Sequence, residues 1–435
     1  MFKKITGDKL FINGVIIFLF LMGSNFFNYL YQIFMGRTLS ISGYGTLNSL
    51  LSLFVIASVP SAATVAFSAK NTSNYLAVND FEGSRKFIVA AFWKTVLYSS
   101  IFLIMFILSI PLLMNFMNIK FYFYYLIVGV AIFLTFPFSL VIGAIQGSKM
   151  YLSLGLYSAL PSLFKFGFAV LLVYAGFALT GALLSVMLSP LLVLAVSLAA
   201  LSYYLNININ KKRDNDGKNK TSGKMFTMGK PYFFSVFFIM LLFALFTNID
   251  LIMVKHFFSA RETGLYSIAD ILGKIILYFP AAFVLVMFPE VTHARAADGR
   301  TKPILLKTLL IVLPLCLCLE LFYILFPQDI IIFLMGEKYS SSAALLSLYG
   351  LGMFPFAFIN ILINYFMAIN NSKVIVLMLV FSIMEISLLY FFHKNLYDVI
   401  ILVMTTGWLI LLSLSAYAFY DEIVVFLKKF YNGFL

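Results

Sequence analysis

The sequence predicts an all-α integral membrane protein with about twelve transmembrane helices in two pseudo-symmetric six-helix lobes. Hydrophobic residues make up 63% of its 435 residues and charged residues only 11%, against about 45–50% and about 25% in soluble domains. Twelve helices of about 25 residues would use about 300 residues. The remainder is too short for a soluble catalytic or nucleotide-binding domain, so these classes of protein are excluded.

Runs of mostly apolar residues long enough to cross a bilayer define the predicted helices. The first run, from Leu10 to Met35, is too long for a signal-peptide core and is kept as a helix. Six runs precede the longest polar stretch of the chain and six follow it. The predicted spans are 10–35, 46–68, 88–115, 122–146, 152–175, 181–205, 231–256, 267–290, 304–327, 341–369, 374–393 and 399–419.

Basic residues set the predicted orientation. With a cytoplasmic N-terminus, most of the 30 Lys and Arg residues fall on cytoplasmic segments, as the positive-inside rule requires. This distribution accounts for the net charge of +13 without nucleic acid as a partner. We therefore expect a multi-pass protein of the cytoplasmic (inner) membrane with both termini in the cytoplasm. The predicted domains are an N-terminal lobe (1–205), a basic cytoplasmic linker (206–230), a C-terminal lobe (231–419) and a cytoplasmic interfacial tail (420–435).

Short segments of the first half recur in the second half in the same order. The pairs are Asn28 and Asn248, 42–45 and 263–266, 60–63 and 280–283, 136–138 and 354–356, and 144–149 and 368–373. Because six helices is an even number, both repeats would enter the membrane in the same sense, related by an axis along the membrane normal. Such an architecture predicts a transporter that works by alternating access.

Several short motifs lie at the ends of the predicted spans. They are Gly36-Arg37, Tyr44-Gly45, Gln146-Gly147, Asn248 with Asp250, Thr263-Gly264-x-Tyr266 and Leu272-Gly273-Lys274. Together they resemble the polysaccharide or O-antigen flippases of the multidrug/oligosaccharidyl-lipid/polysaccharide exporter superfamily. The resemblance implies a multidrug-exporter-like fold. It also implies movement of an undecaprenyl-diphosphate-linked oligosaccharide from the inner to the outer leaflet for surface polysaccharide biosynthesis. Membrane lipids, and glycosyltransferases and a polymerase of the same pathway, would be its further partners.

Lys165 is the most unusual polar residue of the predicted spans. It lies midway along the fifth span, and no acidic residue occurs between Phe87 and Leu205. A charged side chain at this depth costs about 2.5–3.5 kcal/mol on insertion scales, so we expect its partner to come from the other lobe or from a ligand. The diphosphate of the substrate would suit it. The alternative is a lysine that snorkels to a cavity or bonds backbone carbonyls with no role in binding.

Asp250 and Lys274 are predicted at similar depths in neighbouring spans, and Asp270 precedes Lys274 by one helical turn. One interpretation is a structural ion-pair cluster that fixes two helices. The other is that Lys274 exchanges its aspartate for the substrate phosphate, or that an aspartate takes up a proton during the cycle.

Other polar residues complete the set of candidate site residues. Arg37 and Lys255, at repeat-related outer helix ends, would draw the headgroup outward or only anchor the helices at the interface. Asn28 and Asn248 would bind sugar hydroxyls or neighbouring helices. Glu320 and Glu385 are candidates for proton or cation coupling.

The chemistry that the sequence lacks limits the function classes. The three histidines lie at different helix ends and there is no HxxxH or CxxC pattern or phosphate-binding glycine loop, so we expect no metal, no cofactor, no catalytic residues and no enzyme activity. A cation-coupled multidrug exporter of the same fold is the alternative, although it would be expected to carry carboxylates in its first lobe. A membrane polymerase or ligase would be expected to have a large outer loop that carries its catalytic groups, whereas every predicted outer loop of this chain is short.

Overall fold

A computed structural model of the chain describes residues 9–215, 230–296 and 299–420, and these residues form helices and short connections without β-strands. The chain divides into two compact units, Met1–Phe233 and Phe234–Leu435. We refer to them as the first and the second unit. The prediction of an all-α membrane protein is confirmed for the described residues.

The first unit contains seven described α-helices. They are α1 (Lys9–Thr38), α2 (Ile41–Ser58), α3 (Pro60–Ala77), α4 (Phe81–Met117), α5 (Tyr122–Gly147), α6 (Tyr151–Leu172) and α7 (Ala178–Asn215), with a π-helical turn at Val173–Phe177 between α6 and α7.

The second unit contains nine described α-helices. They are α8 (Lys230–Phe246), α9 (Ile249–Phe257), α10 (Ala260–Tyr278), α11 (Ala281–Ala296), α12 (Lys302–Leu325), α13 (Pro327–Met335), α14 (Ala343–Ala368), α15 (Val374–Phe391) and α16 (Leu396–Ala418). Helix α8 begins four residues before the boundary between the units. A 3₁₀ segment, Glu337–Ser342, leads into α14.

The number of membrane spans depends on how broken helices are counted. Among the described residues, ten helical segments are long and apolar enough to cross a membrane, and the bent pair α8 and α9 makes eleven. One of these segments, Tyr151–Asn210, has 60 residues. It would be about 90 Å long as one helix, three times the hydrocarbon thickness. It is divided at Gly176, whose φ of +91° reverses the chain between α6 and α7. Counted as two spans, it brings the total to the predicted twelve.

The second span of each unit differs from the predicted straight helix. Span 46–68 is α2 followed by α3, and span 267–290 is α10 followed by α11. The first break, Val59, directly precedes Pro60, and the second contains Pro280. Proline cannot donate the backbone hydrogen bond that would continue the helix. The two prolines are repeat-related, so the break supports the repeat that the sequence indicates.

Serine caps start the same two spans. The Ser40 Oγ accepts a hydrogen bond from the Gly43 amide at 3.1 Å at the start of α2. The Ser259 Oγ accepts one from the Glu262 amide at 3.3 Å at the start of α10. The Glu262 carboxylate in turn accepts a hydrogen bond from the Ser259 amide. Each cap satisfies a backbone donor that has no partner within its helix.

The fourth span of each unit is its central helix. Helices α5 and α14 are the most buried candidate spans of the first and second unit, respectively. Each carries a proline near its middle, Pro137 or Pro355. Helix α5 packs against α2, α3, α4, α6 and α7, while α14 packs against α10, α11, α12, α13 and α16. The two units therefore share one packing plan.

Helix α7 continues beyond the predicted end of the N-terminal lobe. It ends at Asn215, ten residues after Leu205, so the first residues of the predicted linker are helical. Residues 216–229, which contain most of the basic linker, and residues 421–435 of the predicted interfacial tail lie outside the described residues.

Candidate functional site

A polar stripe runs along the contact between α1 and α6 in the first unit. The Ser162 hydroxyl on α6 donates to the Ser24 hydroxyl on α1 at 3.0 Å. One turn further along each helix, the Lys165 ammonium donates to the Asn28 side-chain oxygen at 2.5 Å. Ser24 and Asn28 are four residues apart and thus lie on one face of α1. The stripe forms because the polar side chains of α1 and α6 lie on the faces where the two helices pack together.

Lys165 also lies over an aromatic ring. Its Nζ is 4.5 Å from the centre of the Tyr31 ring, within the range of a cation–π contact. The Tyr31 hydroxyl is held by the carbonyl of Ala182 on α7 at 3.1 Å, so the ring has a fixed place. We call Lys165, Asn28 and Tyr31 the lysine site.

The expectation that a partner of Lys165 would come from the other lobe or from a ligand was wrong. Its partners come from its own unit, from a residue 137 positions away in sequence. The sequence argument considered only carboxylates, and an amide oxygen and a ring face are neutral partners. In the described ranges 9–215, 230–296 and 299–420, no carboxylate forms an ion pair with Lys165.

The lysine site therefore holds a positive charge that its neighbours orient but do not neutralise. Lys165 lies about 21 Å along α6 from Tyr151 and is partly buried. An anionic group that reached the ammonium would supply the missing countercharge and form a charge-assisted hydrogen bond, which is roughly twice as strong as a neutral one.

In the second unit, a broken span brings Asn248 into a polar cluster. Helices α8 and α9 meet at Thr247 and Asn248 with a bend of 41°. The Asn248 amide nitrogen donates to the Ala244 carbonyl at 2.9 Å, which satisfies an acceptor at the end of α8. Its side-chain oxygen remains available and accepts from the Lys274 ammonium at 3.4 Å.

Lys274 pairs closely with an acidic residue of its own helix. Its Nζ lies 2.6 Å from Asp270 Oδ1. The exposed fraction is 6% for Lys274 and 2% for Asp270. This is the geometry of the ion-pair interpretation. A contact between Lys274 and a substrate phosphate would require this buried pair to open.

Two tyrosine hydroxyls contact Asp250 on α9, and one of them, Tyr349, joins Asp250 to this pair. The Tyr266 hydroxyl lies 2.8 Å from Asp250 Oδ2. The Tyr349 hydroxyl, on α14, lies 2.7 Å from Asp250 Oδ2 and 2.6 Å from Asp270 Oδ1. Gly273 makes this bridge possible, because a Cβ there would lie 2.5 Å from the Tyr349 ring.

Glu385 lies on α15, a helix that packs against α9. It is fully buried, both of its carboxyl oxygens are without a hydrogen-bond partner, and it lies within electrostatic reach of Asp250 and Tyr266. We call Asp250, Asp270, Glu385, Lys274, Tyr266 and Tyr349 the carboxyl cluster.

The remaining candidate residues lie outside these two sites. Glu320 on α12 is buried against Gly350, with both carboxyl oxygens unpartnered. Arg37 is exposed in the last turn of α1, and Lys255 is buried in the last turn of α9. None of the described contacts joins Arg37 or Lys255 to the lysine site or to the carboxyl cluster, so their assignment to substrate binding stays a prediction.

The repeat-related asparagines occupy similar chemical positions in the two units. Asn28 and Asn248 each present a side-chain oxygen to a lysine. The lysines themselves are not repeat-related, because Lys165 lies on the fifth span of its unit and Lys274 on the second. Only Lys274 has a carboxylate beside it. The ammonium of Lys274 is therefore neutralised by a carboxylate, whereas that of Lys165 has only neutral partners.

Sequence reasoning missed the aromatic members of both sites. Tyr31 follows Asn28 by three residues and so lies on nearly the same face of α1, which is a signal that could have identified it. Tyr349 gave no such signal, since it lies 79 residues from Asp270 in a largely apolar helix. The described residues contain no group of His, Cys, Asp and Glu side chains arranged to hold a metal ion.

Comparison with protein families gives a match over most of the chain. The family described as polysaccharide biosynthesis protein matches residues 35–344. A comparison with curated protein sequences gives no match. The family resemblance that the sequence motifs indicate is therefore confirmed by the family match.

Solved structures share the fold at low sequence identity. An inward-facing multidrug resistance MATE family transporter of the MOP superfamily has a TM-score of 0.72 at 14% identity and covers 96% of this chain and 99% of its own. The lipid II flippase MurJ, in an inward closed conformation, has a TM-score of 0.64 at 13% identity, covering 93% and 87%. A MOP superfamily transporter from Pyrococcus furiosus has a TM-score of 0.56 at 15% identity, covering 93% and 94%. These similarities establish the fold.

Proposed function

The chain belongs to the polysaccharide biosynthesis protein family, and from this premise we propose that it is a flippase for a lipid-linked oligosaccharide. The cargo would be a glycan on undecaprenyl diphosphate, moved from the inner to the outer leaflet of the cytoplasmic membrane by alternating access. This proposal combines the family with a fold that is also found in a lipid II flippase.

The uncompensated charge of Lys165 carries the proposal. An ammonium at this depth costs about 2.5–3.5 kcal/mol on insertion scales, and its neighbours are an amide oxygen and a ring face. A diphosphate has the opposite charge and several acceptor oxygens. Binding the headgroup would therefore offset the charge of the lysine and the charge of the diphosphate at the same time.

The surrounding residues suit reversible binding better than bond-making. Asn28 and Tyr31 orient the ammonium but supply neither a nucleophile nor a general base. The Ser24 and Ser162 hydroxyls, one turn away, offer donors and acceptors for sugar hydroxyls. The diphosphate would bind near Lys165 in the inward-open state and leave it in the outward-open state.

The alternative is a cation-coupled multidrug exporter of the same fold, a fold that a MATE family transporter shares. A cationic drug would be repelled by Lys165, and the buried carboxylates among the described residues all lie in the second unit. The two functions predict opposite roles for Lys165. Neutralising it should abolish export of an anionic lipid but leave or improve efflux of a cation.

The test measures surface glycan in cells whose own gene is replaced by variants of the chain. We expect Lys165→Ala to abolish surface glycan while the protein stays in the membrane, and Lys165→Arg to retain part of the export because the charge remains. Lys94→Ala is the matched control, since Lys94 is an exposed lysine of helix α4 in the same unit.

Normal surface glycan in the Lys165→Ala cells would contradict the role of Lys165. Loss of glycan in the Lys94→Ala cells as well would show that the loss is not specific to Lys165, which would also contradict the proposal. Efflux of a cationic dye that depends on the chain, with glycan unchanged by its deletion, would favour the exporter.

A further inference from the structure

If all three acids of the carboxyl cluster were ionised, their carboxylate oxygens would outnumber the hydrogen-bond donors around them. Asp250, Asp270 and Glu385 come from α9, α10 and α15, and the exposed fraction of each is 2% or less. Among the described residues, the one cation that contacts them is Lys274, which is paired with Asp270. Three carboxylates and one ammonium would leave a net charge of −2 away from water, which a protein interior strongly disfavours.

The Tyr349 hydroxyl shows where one proton must be. It lies 2.7 Å from Asp250 and 2.6 Å from Asp270, but a hydroxyl donates only one hydrogen. The second contact needs a hydrogen from a carboxylic acid. Since Asp270 already faces the Lys274 ammonium, the consistent arrangement has Asp250 protonated and donating to Tyr349, which in turn donates to Asp270.

The other oxygen of Asp250 agrees with this arrangement. Asp250 Oδ1 is buried without a hydrogen-bond partner, as suits the carbonyl oxygen of a neutral acid far better than half of a carboxylate. Glu385 is fully buried, and both of its carboxyl oxygens are without a hydrogen-bond partner. A buried carboxylate without donors is much less stable than the neutral acid.

We propose that the carboxyl cluster is a proton-binding site that holds two exchangeable protons, one on Asp250 and shared through Tyr349, and one on Glu385. With both protons bound, the cluster is neutral, because Asp270 balances Lys274. Release of both leaves two uncompensated negative charges beside Lys274. The ammonium is then attracted toward Asp250 and away from Asn248, which lies at the break between α8 and α9.

Further titratable groups lie on the helices that pack around the cluster. Helix α10 adds Tyr278, within electrostatic reach of Lys274 and Asp270. Helix α12 adds Glu320 and Tyr323, which pack against Gly350. Helix α16 packs against α9, and its Asp398 lies in the first turn. None of these groups is a cation. On α9 itself, Lys255 is buried five residues after Asp250, but none of the described contacts joins it to the carboxyl cluster, so protons are the countercharge that the geometry allows.

This site is independent of the cargo, so it can be tested on the purified full-length chain without substrate. The measurement is the infrared carbonyl band of protonated carboxyl groups in lipid nanodiscs at neutral pH. We expect the wild-type band to lose one component in Glu385→Gln and another in Asp250→Asn, with about one proton fewer released per chain in each variant when the pH is raised. An amide has the shape of the neutral acid and can replace its hydrogen bonds, so both variants should fold.

Tyr349→Phe is a second test, which removes the bridging hydroxyl and leaves every carboxyl group in place. We expect it to shift the Asp250 component and leave the Glu385 component in place. Tyr323→Phe is its matched control, since this buried hydroxyl donates to the backbone carbonyl of Leu272. Glu320→Gln should remove a different component of the infrared carboxylic-acid band, one whose position Tyr349→Phe does not change.

The proposal is overturned if neither Glu385→Gln nor Asp250→Asn changes the carboxylic-acid band and the protons released. It is also overturned if Tyr349→Phe and Tyr323→Phe have the same effect. Either result would leave the proposed flippase activity untouched, because that activity rests on Lys165 in the first unit.

Discussion

Replacing Asn28 by Asp tests the lysine site without removing the lysine. Aspartate has nearly the shape of asparagine, so one carboxylate oxygen would take the place of the amide oxygen that now lies 2.5 Å from Lys165 Nζ. The ammonium would gain an internal countercharge. A substrate diphosphate would then have to displace a resident anion, so we expect Asn28→Asp to weaken substrate binding about as much as loss of the lysine.

Coulomb attraction between the ammonium and the new carboxylate sets the order of magnitude of the effect. Unit charges 4 Å apart attract by about 4 kcal/mol at an effective dielectric constant of 20, and desolvation of the new carboxylate offsets part of this. A remaining 2–3 kcal/mol corresponds to about 30- to 150-fold weaker binding, since each 1.4 kcal/mol is a factor of ten.

The assay is binding of undecaprenyl diphosphate to the purified chain by titration calorimetry. The double variant Asn28→Asp, Lys165→Ala completes a mutant cycle. We expect it to bind at least as weakly as Lys165→Ala alone, because a carboxylate without the lysine beside it would itself repel the diphosphate. Wild-type affinity in Asn28→Asp, with the protein folded, would refute the assignment of Lys165 as the site of the anion.

Three further predictions concern the second unit and are checked by the free energy of unfolding in detergent. Asp270→Asn should lower it by about 3–5 kcal/mol, because it leaves the Lys274 ammonium buried without its carboxylate; an unchanged value would contradict the ion pair. Gly273→Ala should lower it by about 1–3 kcal/mol, since the new methyl group would meet the Tyr349 ring at 2.5 Å, and a neutral effect would mean that the ring can move freely. Ser259→Ala removes a helix cap and should lower it by about 1 kcal/mol; no loss would show that the cap adds nothing.

The spans could be predicted from the sequence because the bilayer imposes a single requirement, a long apolar run. Their breaks could not. Pro60 and Pro280 lie inside apolar runs, and a membrane helix tolerates proline when neighbouring helices satisfy the freed backbone groups. Whether the helix bends or breaks at such a residue depends on its packing, which the sequence of one helix does not contain.

The two sites differed in how far they could be predicted. Asp270 and Lys274 are one turn apart, so their pairing follows from helix geometry alone. Lys165 and Asn28 are 137 residues apart, and nothing in a single sequence specifies that α1 and α6 pack with these faces together. The repeat pointed to Asn28 and Asn248 as equivalent residues, but it could not indicate that lysines from different helices would approach them.

Leaflet-to-leaflet movement by the purified chain is the most direct test of the account. Proteoliposomes would carry a fluorescent oligosaccharide on undecaprenyl diphosphate, and a membrane-impermeant quencher would report the fraction that reaches the outer leaflet. We predict translocation by the wild-type chain and by Lys94→Ala, and only the rate of protein-free liposomes for Lys165→Ala. Equal translocation by the wild-type and Lys165→Ala chains, or none by the wild type, would contradict it.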